Sequence, residues 1–196
     1  MKNFFLKLIV LILFLPIIPV IFISCLLVLV EDGFPVFFSQ KRLGKNKNIF
    51  KIYKIRTMLK DTPNIGTHEI SSLNYLKTGI ILRKIKLDEL PQVINFIKGD
   101  IEMVGPRPGL PSQKNLTHAR DKKSVFKVKP GITGLSQVLG YDMSNPLLLA
   151  KIDELYLRKR TTFLDINIFL ATFFKFFKGK LLKKFEKDIK IIINDA

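Results

Sequence analysis

Two adjacent carboxylates, Asp88 and Glu89, are the residues of this sequence best suited to chemistry. They open an apolar-periodic segment, where we predict a helix with Asp88 as its N-cap and Pro91 in its first turn. A helix N-terminus holds anions and keeps an aspartate ionised. Such an aspartate can attack phosphorus and form an acyl phosphate, while the neighbouring glutamate can bind Mg²⁺. Capping of the helix is the simpler interpretation of the same pair, and the pattern alone leaves both open.

Two arginines are placed to bind the phosphate groups of such a reaction. Arg83 lies five residues before Asp88. Arg107 lies in the segment Gly-Pro-Arg-Pro-Gly at 105–109, which we predict to be a rigid loop presenting one guanidinium. Since a guanidinium can bind phosphate oxygens bidentately, both arginines are candidate substrate ligands.

Lys54 and Arg56 belong to the strongly basic stretch 37–60, which carries eight basic side chains and no acidic one. Apolar residues alternate with polar ones near its centre, which predicts a strand around residues 49–55. The stretch predicts a phosphate-binding wall that includes Lys54 and Arg56. A solvated basic face near anionic lipid is the alternative interpretation.

The helix that carries the carboxylates is predicted to run to Lys98 and to end at Gly99. Its apolar residues recur at helical spacing, which predicts a buried face made of Leu90, Val93, Ile94 and Ile97. Turn-forming residues predict loops over 61–78 and 127–140, and residues 147–158 predict a further helix.

Residues 8–30 are almost wholly apolar, and as a straight helix they would span about 30 Å of hydrocarbon. Pro16 and Pro19 each remove a backbone donor, so a break or kink is expected near the middle. Four interpretations compete: a cleaved signal peptide, a lipoprotein signal ending at Cys25, a spanning helix, and a bent re-entrant helical hairpin.

The charge pattern favours the re-entrant hairpin. Lys2 and Lys7 precede the apolar segment, and a very basic region follows it. The positive-inside tendency draws both flanks to the cytoplasmic side, which a segment that enters and leaves by one face allows. The signal-peptide and lipoprotein interpretations are weaker, because no cleavage motif of small residues follows and the residues after Cys25 remain apolar.

The segment 163–185 is rich in phenylalanine and lysine, and its lysines crowd the later half. This composition is typical of an amphipathic helix lying in the lipid headgroup layer. A C-terminal helix packed on the core is the alternative.

The composition of the 196 residues supports a membrane surface as a partner. Lys and Arg number 33 and Asp and Glu 16, which gives a net charge of +17, yet 47% of the residues are apolar and the mean hydropathy is +0.22. A soluble nucleic-acid binder is rarely both so basic and so apolar, so nucleic acid is not expected as a partner. One cysteine and two histidines exclude a disulfide framework and a histidine-rich metal centre.

A series of motifs in this order and spacing resembles the bacterial sugar transferase family, the monotopic phosphoglycosyl transferases. The motifs are Q-K-R-L-G at 40–44, K-I-R-T-M at 54–58, L-D-E-L-P-Q at 87–92, K-G-D at 98–100, V-G-P-R-P at 104–108, P-G-I-T-G at 130–134, and Asp153 with Tyr156. The short apolar N-terminus looks like that of the small members.

The resemblance implies a reaction in two steps. Asp88 would attack the β-phosphate of a UDP-sugar and release UMP, and the phosphosugar on Asp88 would then pass to undecaprenyl phosphate. Glu89 would bind Mg²⁺, the cofactor, and assist. Pro106, Arg107 and Pro108 would shape the nucleotide site. The implied product begins the membrane-bound assembly of a glycoconjugate.

The resemblance also implies an architecture. The expected fold is α+β and mainly helical, with a re-entrant membrane helical hairpin, a small sheet and interfacial amphipathic helices. We expect a membrane segment over 1–32, a catalytic domain over 33–185 and a tail over 186–196. The protein would be monotopic in the bacterial inner membrane, in contact with its lipid, with the catalytic domain facing the cytoplasm.

Three positions depart from the usual family pattern. Lys86 stands where many members have Ser or Thr, Leu135 where many have Trp, and Lys47 where a glycine is common. None of these departures changes the Asp-Glu pair itself. Two other functions remain open: a membrane-associated glycosyltransferase that releases UDP, and a non-enzymatic basic protein of the membrane surface.

Overall fold

The computed structural model describes residues 10, 12, 14–63 and 71–194. The described part is mainly helical and contains two separate two-stranded sheets, which confirms the expected mixture of many helices and little sheet. The chain divides into two compact units. The first comprises Met1–Gln40 and Lys51–Gly99, and the second comprises Lys41–Phe50 and Asp100–Ala196.

The elements of the first unit begin with an apolar helix and end with the segment that carries the carboxylates. In chain order they are a 3-10 turn Leu15–Ile17, helix α1 Ile18–Asp32, strand β1 Phe37–Leu43, strand β2 Ile49–Ile55, a 3-10 turn Ser72–Asn74, helix α2 Lys77–Lys84, a 3-10 segment Leu87–Gln92 and helix α3 Val93–Lys98. Strands β1 and β2 pair with each other, and the part of this hairpin from Lys41 to Phe50 is assigned to the second unit. Residue 68, one of the two histidines, and the rest of 64–70 lie outside the described residues.

In the described part of the chain, one helical stretch, Leu15–Asp32, is long and apolar enough to cross a bilayer. Only 11% of its residues are buried, whereas a core helix of a soluble protein would be mostly buried. The 3-10 turn Leu15–Ile17 contains Pro16, and the α-helical pattern starts at Ile18. The local change in hydrogen bonding therefore falls where the prolines are.

A small core fixes the C-terminal half of α1 in the first unit. Val28, Ile55, Leu76 and Leu82 are buried together, and Leu87 packs against them. Because these residues come from α1, β2, α2 and the 3-10 segment, the core joins the apolar helix to the elements that carry the candidate site residues.

The segment that carries the carboxylates departs from the prediction at its start. Residues Leu87–Gln92 form a 3-10 helix, with Lys86 before it in the left-handed region at φ 61°. Asp88 is therefore the second residue of the segment and not its N-cap. Pro91 lies inside this segment and has no N–H, so it interrupts the backbone hydrogen-bond ladder there. The predicted end at Gly99 is confirmed.

The prediction of the residues that this segment buries is also wrong. Ile94 and Ile97 are 45% and 38% exposed, whereas Gln92 and Asn95 are buried. Asn95 accepts a hydrogen bond from the Tyr53 N–H (3.2 Å) and donates one to the Lys51 carbonyl (2.7 Å). These bonds to β2 turn the polar side of α3 inward, because a buried amide needs partners.

The second unit is larger and more helical. Its elements are β3 Glu102–Val104, α4 Lys114–Lys122, a 3-10 turn Val125–Lys127, β4 Gly131–Thr133, α5 Leu135–Leu139, α6 Pro146–Lys159, α7 Thr162–Phe173 and α8 Lys175–Asn194. Helix α6 confirms the helix predicted over 147–158. The main core lies between α5, α6, α7 and α8, where Ile152, Tyr156, Ile168 and Phe185 are almost completely buried.

The predicted loop over 127–140 contains a strand and a helix instead. Strand β4 lies parallel to β3, with Gly131 opposite Glu102 and Thr133 opposite Val104. A three-residue strand of this kind has no signal in the local sequence, because its stability comes from a partner far away in the chain.

The C-terminal phenylalanine-rich segment forms two helices and not one, since the chain is extended at Phe174 between α7 and α8. One side of both helices is buried through Ile168, Ala171, Leu181 and Phe185. The other side exposes a row of phenylalanines: Phe163, Phe169, Phe173, Phe174 and Phe176. Core packing and an exposed apolar face are therefore both present, on opposite sides.

We predict that Gly131→Ala destabilises the protein and that Gly179→Ala does not. A Cβ on Gly131 would lie 2.1 Å from the Gly105 nitrogen, so the β3–β4 pair would have to separate, at a cost of about 1–3 kcal/mol or more. Gly179 lies within α8 and has no atom within 4 Å of an added Cβ, so alanine should stabilise by up to about 1 kcal/mol. Thermal unfolding in detergent measures both. A Gly131→Ala variant that melts like the parent would contradict the packing described here.

Candidate active site

The two carboxylates lie in the 3-10 segment Leu87–Gln92, which is anchored at both ends. Leu87 packs on the small core, and Pro91 and Gln92 are buried. Asp88 is only 4% exposed, and Glu89 is half-buried. The segment thus holds one carboxylate inside the protein and its neighbour at the edge.

Glu89 forms an ion pair with Lys54. The Lys54 Nζ donates to Glu89 Oε1 at 2.6 Å, and each side chain is 15% exposed. Partial burial strengthens such a pair relative to one in bulk water. The Lys54 side chain, predicted to bind phosphate, therefore provides a cation directly at the carboxylate pair.

Arg83 is held on α2 by two contacts. Its Nη1 donates to Thr57 Oγ1 at 3.2 Å, and its guanidinium stacks 5.0 Å from the centre of the Tyr75 ring. One turn earlier, Gly79 lets α2 lie directly on the backbone, because a Cβ there would be 2.2 Å from the Thr57 carbonyl oxygen. The glycine thus brings Arg83 to Thr57, and α2 also packs against the 3-10 segment.

Arg56 holds the residues that follow α1 by hydrogen bonds to their backbone. Its guanidinium donates to the carbonyls of Pro35 (2.5 Å), Gly33 (2.6 Å), Asp32 (3.2 Å) and Met58 (3.3 Å), and it also pairs with the Asp32 carboxylate. The residue is 5% exposed. Its predicted contact with phosphate stays a prediction, since all of these bonds are made to protein.

A neighbouring carboxylate caps α2. Glu31 Oε1 accepts from the Lys77 N–H at 2.6 Å, and Oε2 accepts from the Thr78 N–H at 2.9 Å and from the Thr78 hydroxyl. A carboxylate satisfies the otherwise unpaired N–H groups of a helix start and interacts well with its dipole. This role of Glu31 was not predicted from the sequence, although an acidic pair directly after an apolar helix is a signal for such a cap.

In the second unit, Pro106, Arg107 and Pro108 form the irregular loop that was predicted. Within residues 104–110, all of which the structure describes, Arg107 is the one residue that is not buried. The Pro106 carbonyl accepts from the Gly131 N–H at 3.0 Å, and the Gly109 carbonyl accepts from the Leu43 N–H at 2.9 Å. A proline has no backbone N–H that would need an acceptor when buried, and the Pro106 carbonyl has its donor, so this loop can be buried and still present Arg107.

Asp153 and Tyr156 have structural partners on α6. Asp153 pairs with Arg120, and burial raises the pKa of its carboxyl against the opposing effects of Arg120 and Ser136. The Tyr156 hydroxyl donates to Asp165 Oδ1 at 2.7 Å, and burial raises its pKa far above the ordinary value. Both side chains are therefore engaged with partners inside the second unit.

The predicted site residues divide between the units. Lys54, Arg56, Arg83, Asp88 and Glu89 belong to the first, and Pro106, Arg107 and Pro108 to the second. Within the described residues no three or more histidine, cysteine or acidic side chains form a metal-binding group. Mg²⁺ commonly takes one or two protein carboxylates and completes its shell with substrate phosphates and water, so Glu89 alone would suffice as the protein ligand, and its binding of Mg²⁺ stays a prediction.

Comparison with known proteins identifies the family to which this chain is similar. The family model described as bacterial sugar transferase matches residues 1–179. The chain is 35% identical over 153 residues to the uncharacterised sugar transferase EpsL of Bacillus subtilis (strain 168), which covers 78% of this chain and 75% of the relative.

Two further relatives have names that state a reaction. The chain is 32% identical over 164 residues to the UDP-N-acetylgalactosamine-undecaprenyl-phosphate N-acetylgalactosaminephosphotransferase of Aeromonas hydrophila, covering 79% of this chain and 38% of the relative. It is 31% identical over 165 residues to the UDP-glucose:undecaprenyl-phosphate glucose-1-phosphate transferase of Caulobacter vibrioides (strain ATCC 19089 / CIP 103742 / CB 15), covering 79% and 61%. The chain thus spans less than two thirds of the length of these two relatives. Because the family model extends over residues 1–179 of 196, this chain belongs to the bacterial sugar transferase family.

Proposed function

We propose that this protein transfers a sugar 1-phosphate from a UDP-sugar to undecaprenyl phosphate and releases UMP, as the first membrane step of glycoconjugate assembly. The observation that carries the proposal is the buried Asp88 carboxylate beside a Glu89 whose charge is matched by Lys54. The names of the relatives from Aeromonas and Caulobacter, which act on undecaprenyl phosphate, support the acceptor.

In the first step, a carboxylate oxygen of Asp88 attacks the β-phosphorus of the UDP-sugar. The bond between the β-phosphorus and the oxygen that bridges to the α-phosphate breaks, and UMP leaves with that oxygen. The product on the protein is an acyl phosphate that carries the sugar. Burial of Asp88 in a short, anchored segment fixes its direction of attack, which lowers the entropic part of the barrier.

In the second step, a phosphate oxygen of undecaprenyl phosphate attacks the same phosphorus. The bond between this phosphorus and the Asp88 oxygen breaks, the carboxylate is restored, and undecaprenyl diphosphate sugar is formed. The two displacements need no oxidant and no other co-reactant. A nucleophile that is restored at the end allows the donor and acceptor to bind in turn.

Glu89 would hold Mg²⁺ together with the phosphate oxygens of the donor. When bound, this ion would neutralise the diphosphate and stabilise the leaving UMP. Lys54, whose Nζ lies 2.6 Å from Glu89 Oε1, orients that carboxylate. Arg83 provides a bidentate donor group for phosphate on the adjoining helix α2. Arg107, flanked by Pro106 and Pro108, would contact the nucleotide part of the donor.

A re-entrant, monotopic placement in the inner membrane is part of the same proposal, with the catalytic portion on the cytoplasmic side. Lys2 and Lys7 before the apolar segment and the basic stretch after it support this placement. The helical stretch Leu15–Asp32 supports it as well, since its apolar surface is largely exposed. An acceptor with a long isoprenoid tail requires a site close to the bilayer surface, which this placement supplies.

The first prediction from the proposed function concerns the nucleophile. Asp88→Asn should lower UMP release by about a thousandfold or more, because an amide cannot form the acyl phosphate. Asp121→Asn, which changes an acid that pairs with Lys47 and is 53% exposed, is the matched control and should leave the rate unchanged. The assay is nucleotide release from nanodisc-held protein with Mg²⁺, undecaprenyl phosphate and a panel of UDP-sugars, with EDTA as the metal-free arm.

The released nucleotide decides between the functions left open by the sequence. UMP release that Asp88→Asn abolishes is the expected result. UDP release would show a glycosyltransferase and refute the role given to Asp88. Normal turnover by Asp88→Asn would refute the covalent mechanism, and binding of anionic vesicles without turnover of any donor would favour a non-enzymatic surface protein.

The second prediction separates the two arginines of the first unit. Arg83→Lys should lower kcat/KM for the donor by about 10- to 100-fold, since a charged bidentate contact becomes a single one, while the melting temperature stays near that of the parent. Arg56→Lys should lower the melting temperature, because an ammonium cannot reach the four carbonyls and the carboxylate that the guanidinium contacts. A loss of donor affinity at full stability in Arg56→Lys would instead assign Arg56 to phosphate binding.

The third prediction concerns topology. In a Cys25→Ser background, single cysteines replacing Lys2 and Lys127 are treated with a membrane-impermeant thiol reagent in spheroplasts. Both should be labelled only after permeabilisation, because a re-entrant segment keeps the two positions on the cytoplasmic side. Labelling at position 2 in intact spheroplasts, with position 127 protected, would show a spanning helix.

A further inference from the structure

The loop of residues 106–109 in the second unit is held at every carbonyl by a different donor. The Pro106 and Gly109 carbonyls accept backbone N–H groups, as described above. The Arg107 carbonyl accepts from Arg120 Nη1 at 2.8 Å, and the Pro108 carbonyl accepts from Arg42 Nη1 at 3.1 Å. Because all four carbonyls are bonded, the backbone of the loop is restricted, and so is the position from which the Arg107 side chain extends.

The donor to Arg107 is itself fixed by a buried ion pair. Arg120 donates from Nε and from Nη2 to Asp153 Oδ2, at 2.9 Å and 2.6 Å, and the Ser136 hydroxyl donates to Asp153 Oδ1 at 3.2 Å. Arg120 and Asp153 are each 2% exposed and Ser136 is 1% exposed. The three residues come from α4, α6 and α5, so the chain of bonds connects three helices to one loop carbonyl.

The planar guanidinium makes this connection directional. Once two of its nitrogens are bonded to Asp153, the direction of the third is set by the rigid geometry of the group. A lysine would carry the same charge but could not make these bonds along fixed directions. Arg120 also lines a narrow cleft together with Pro106, Arg107 and Pro108, so the group lies beside the surface that the loop presents.

We propose that Arg120, oriented by Asp153 and Ser136, is a positioning residue for Arg107 and thereby sets the affinity for the nucleotide part of the donor. The inference rests on the proposed function for its substrate. Arg120 is buried and acts through the backbone of the loop, whereas Arg107 makes the contact. Asp153 and Ser136 act one step further away, by setting the direction of Arg120.

A double variant separates positioning from stability. Removal of one partner leaves a buried charge unpaired and risks misfolding. Arg120→Met combined with Asp153→Leu removes both charges with side chains of similar size, which preserves folding in comparable buried pairs. It still removes the donor to the Arg107 carbonyl. Arg160→Met is the matched control, since Arg160 pairs with Glu102 and Asp165 in the same unit and makes no hydrogen bond to the loop among the described contacts.

Two readouts are needed. Amide hydrogen exchange of the peptide 105–113 reports the order of the loop, and KM for the UDP-sugar in the UMP-release assay reports donor binding. We expect faster exchange in this peptide and a fall of about 10- to 100-fold in kcat/KM for the donor in the double variant, mainly through KM. The KM for undecaprenyl phosphate and the melting temperature should change little. The control should keep both the exchange and the donor KM of the parent.

Unchanged exchange of the loop peptide in the double variant would overturn the proposal. Faster exchange with an unchanged donor KM would overturn it as well, because the order of the loop would then have no effect on the donor. Absence of UMP release from the parent protein would refute the proposed function instead. The exchange comparison between the double variant and the control would in that case still decide whether Arg120 positions Arg107.

Discussion

The last turn of α1 imposes the constraint on which the first unit depends. An apolar helix that ends at two acids leaves its final carbonyls and both carboxylates in need of donors. Arg56 satisfies Asp32 and the carbonyls around it, and the N-terminus of α2 satisfies Glu31. These bonds bring β2 and α2 to the end of α1. The elements that carry Lys54 and Arg83 are therefore positioned by the polar requirements of a helix end.

Apolar packing also restrains the candidate site residues, because the residue next to each of three of them is packed in a core. Ile55, Leu82 and Leu87 are all packed in the small core around Val28 of α1. Each is the immediate chain neighbour of a candidate site residue: Ile55 of Lys54, Leu82 of Arg83, and Leu87 of Asp88. Because a close-packed core tolerates little displacement, anchoring the neighbour also restricts the functional side chain. Chemistry proposed at the membrane surface is in this way tied to the apolar helix.

In the second unit, too, backbone carbonyls need donors, and buried arginine side chains provide them. A buried loop with two prolines lacks donors but has a full set of carbonyls, which must be satisfied from outside. Arg42 and Arg120 do this from within the protein, and glycines at 105, 131 and 134 permit the close approach of β3 and β4. Several arginines that the strong basic charge would assign to an anionic partner are thus engaged with backbone carbonyls. Net charge therefore overstates the number of groups left for substrate.

The sequence by itself determined the carboxylate pair, the proline loop around Arg107, the apolar N-terminal helix and the mainly helical composition, because each has a local signature in residue type and spacing. The tertiary structure decided what spacing could not encode. Asp88 lies in a 3-10 segment, Asn95 is buried in α3 while Ile94 and Ile97 are exposed, and residues 131–139 form a strand and a helix. It also decided which basic residues hold the fold and which face a carboxylate, as Arg56 and Lys54 illustrate. The physical reason is that burial, pairing and hydrogen-bond satisfaction depend on partners that are distant in the chain.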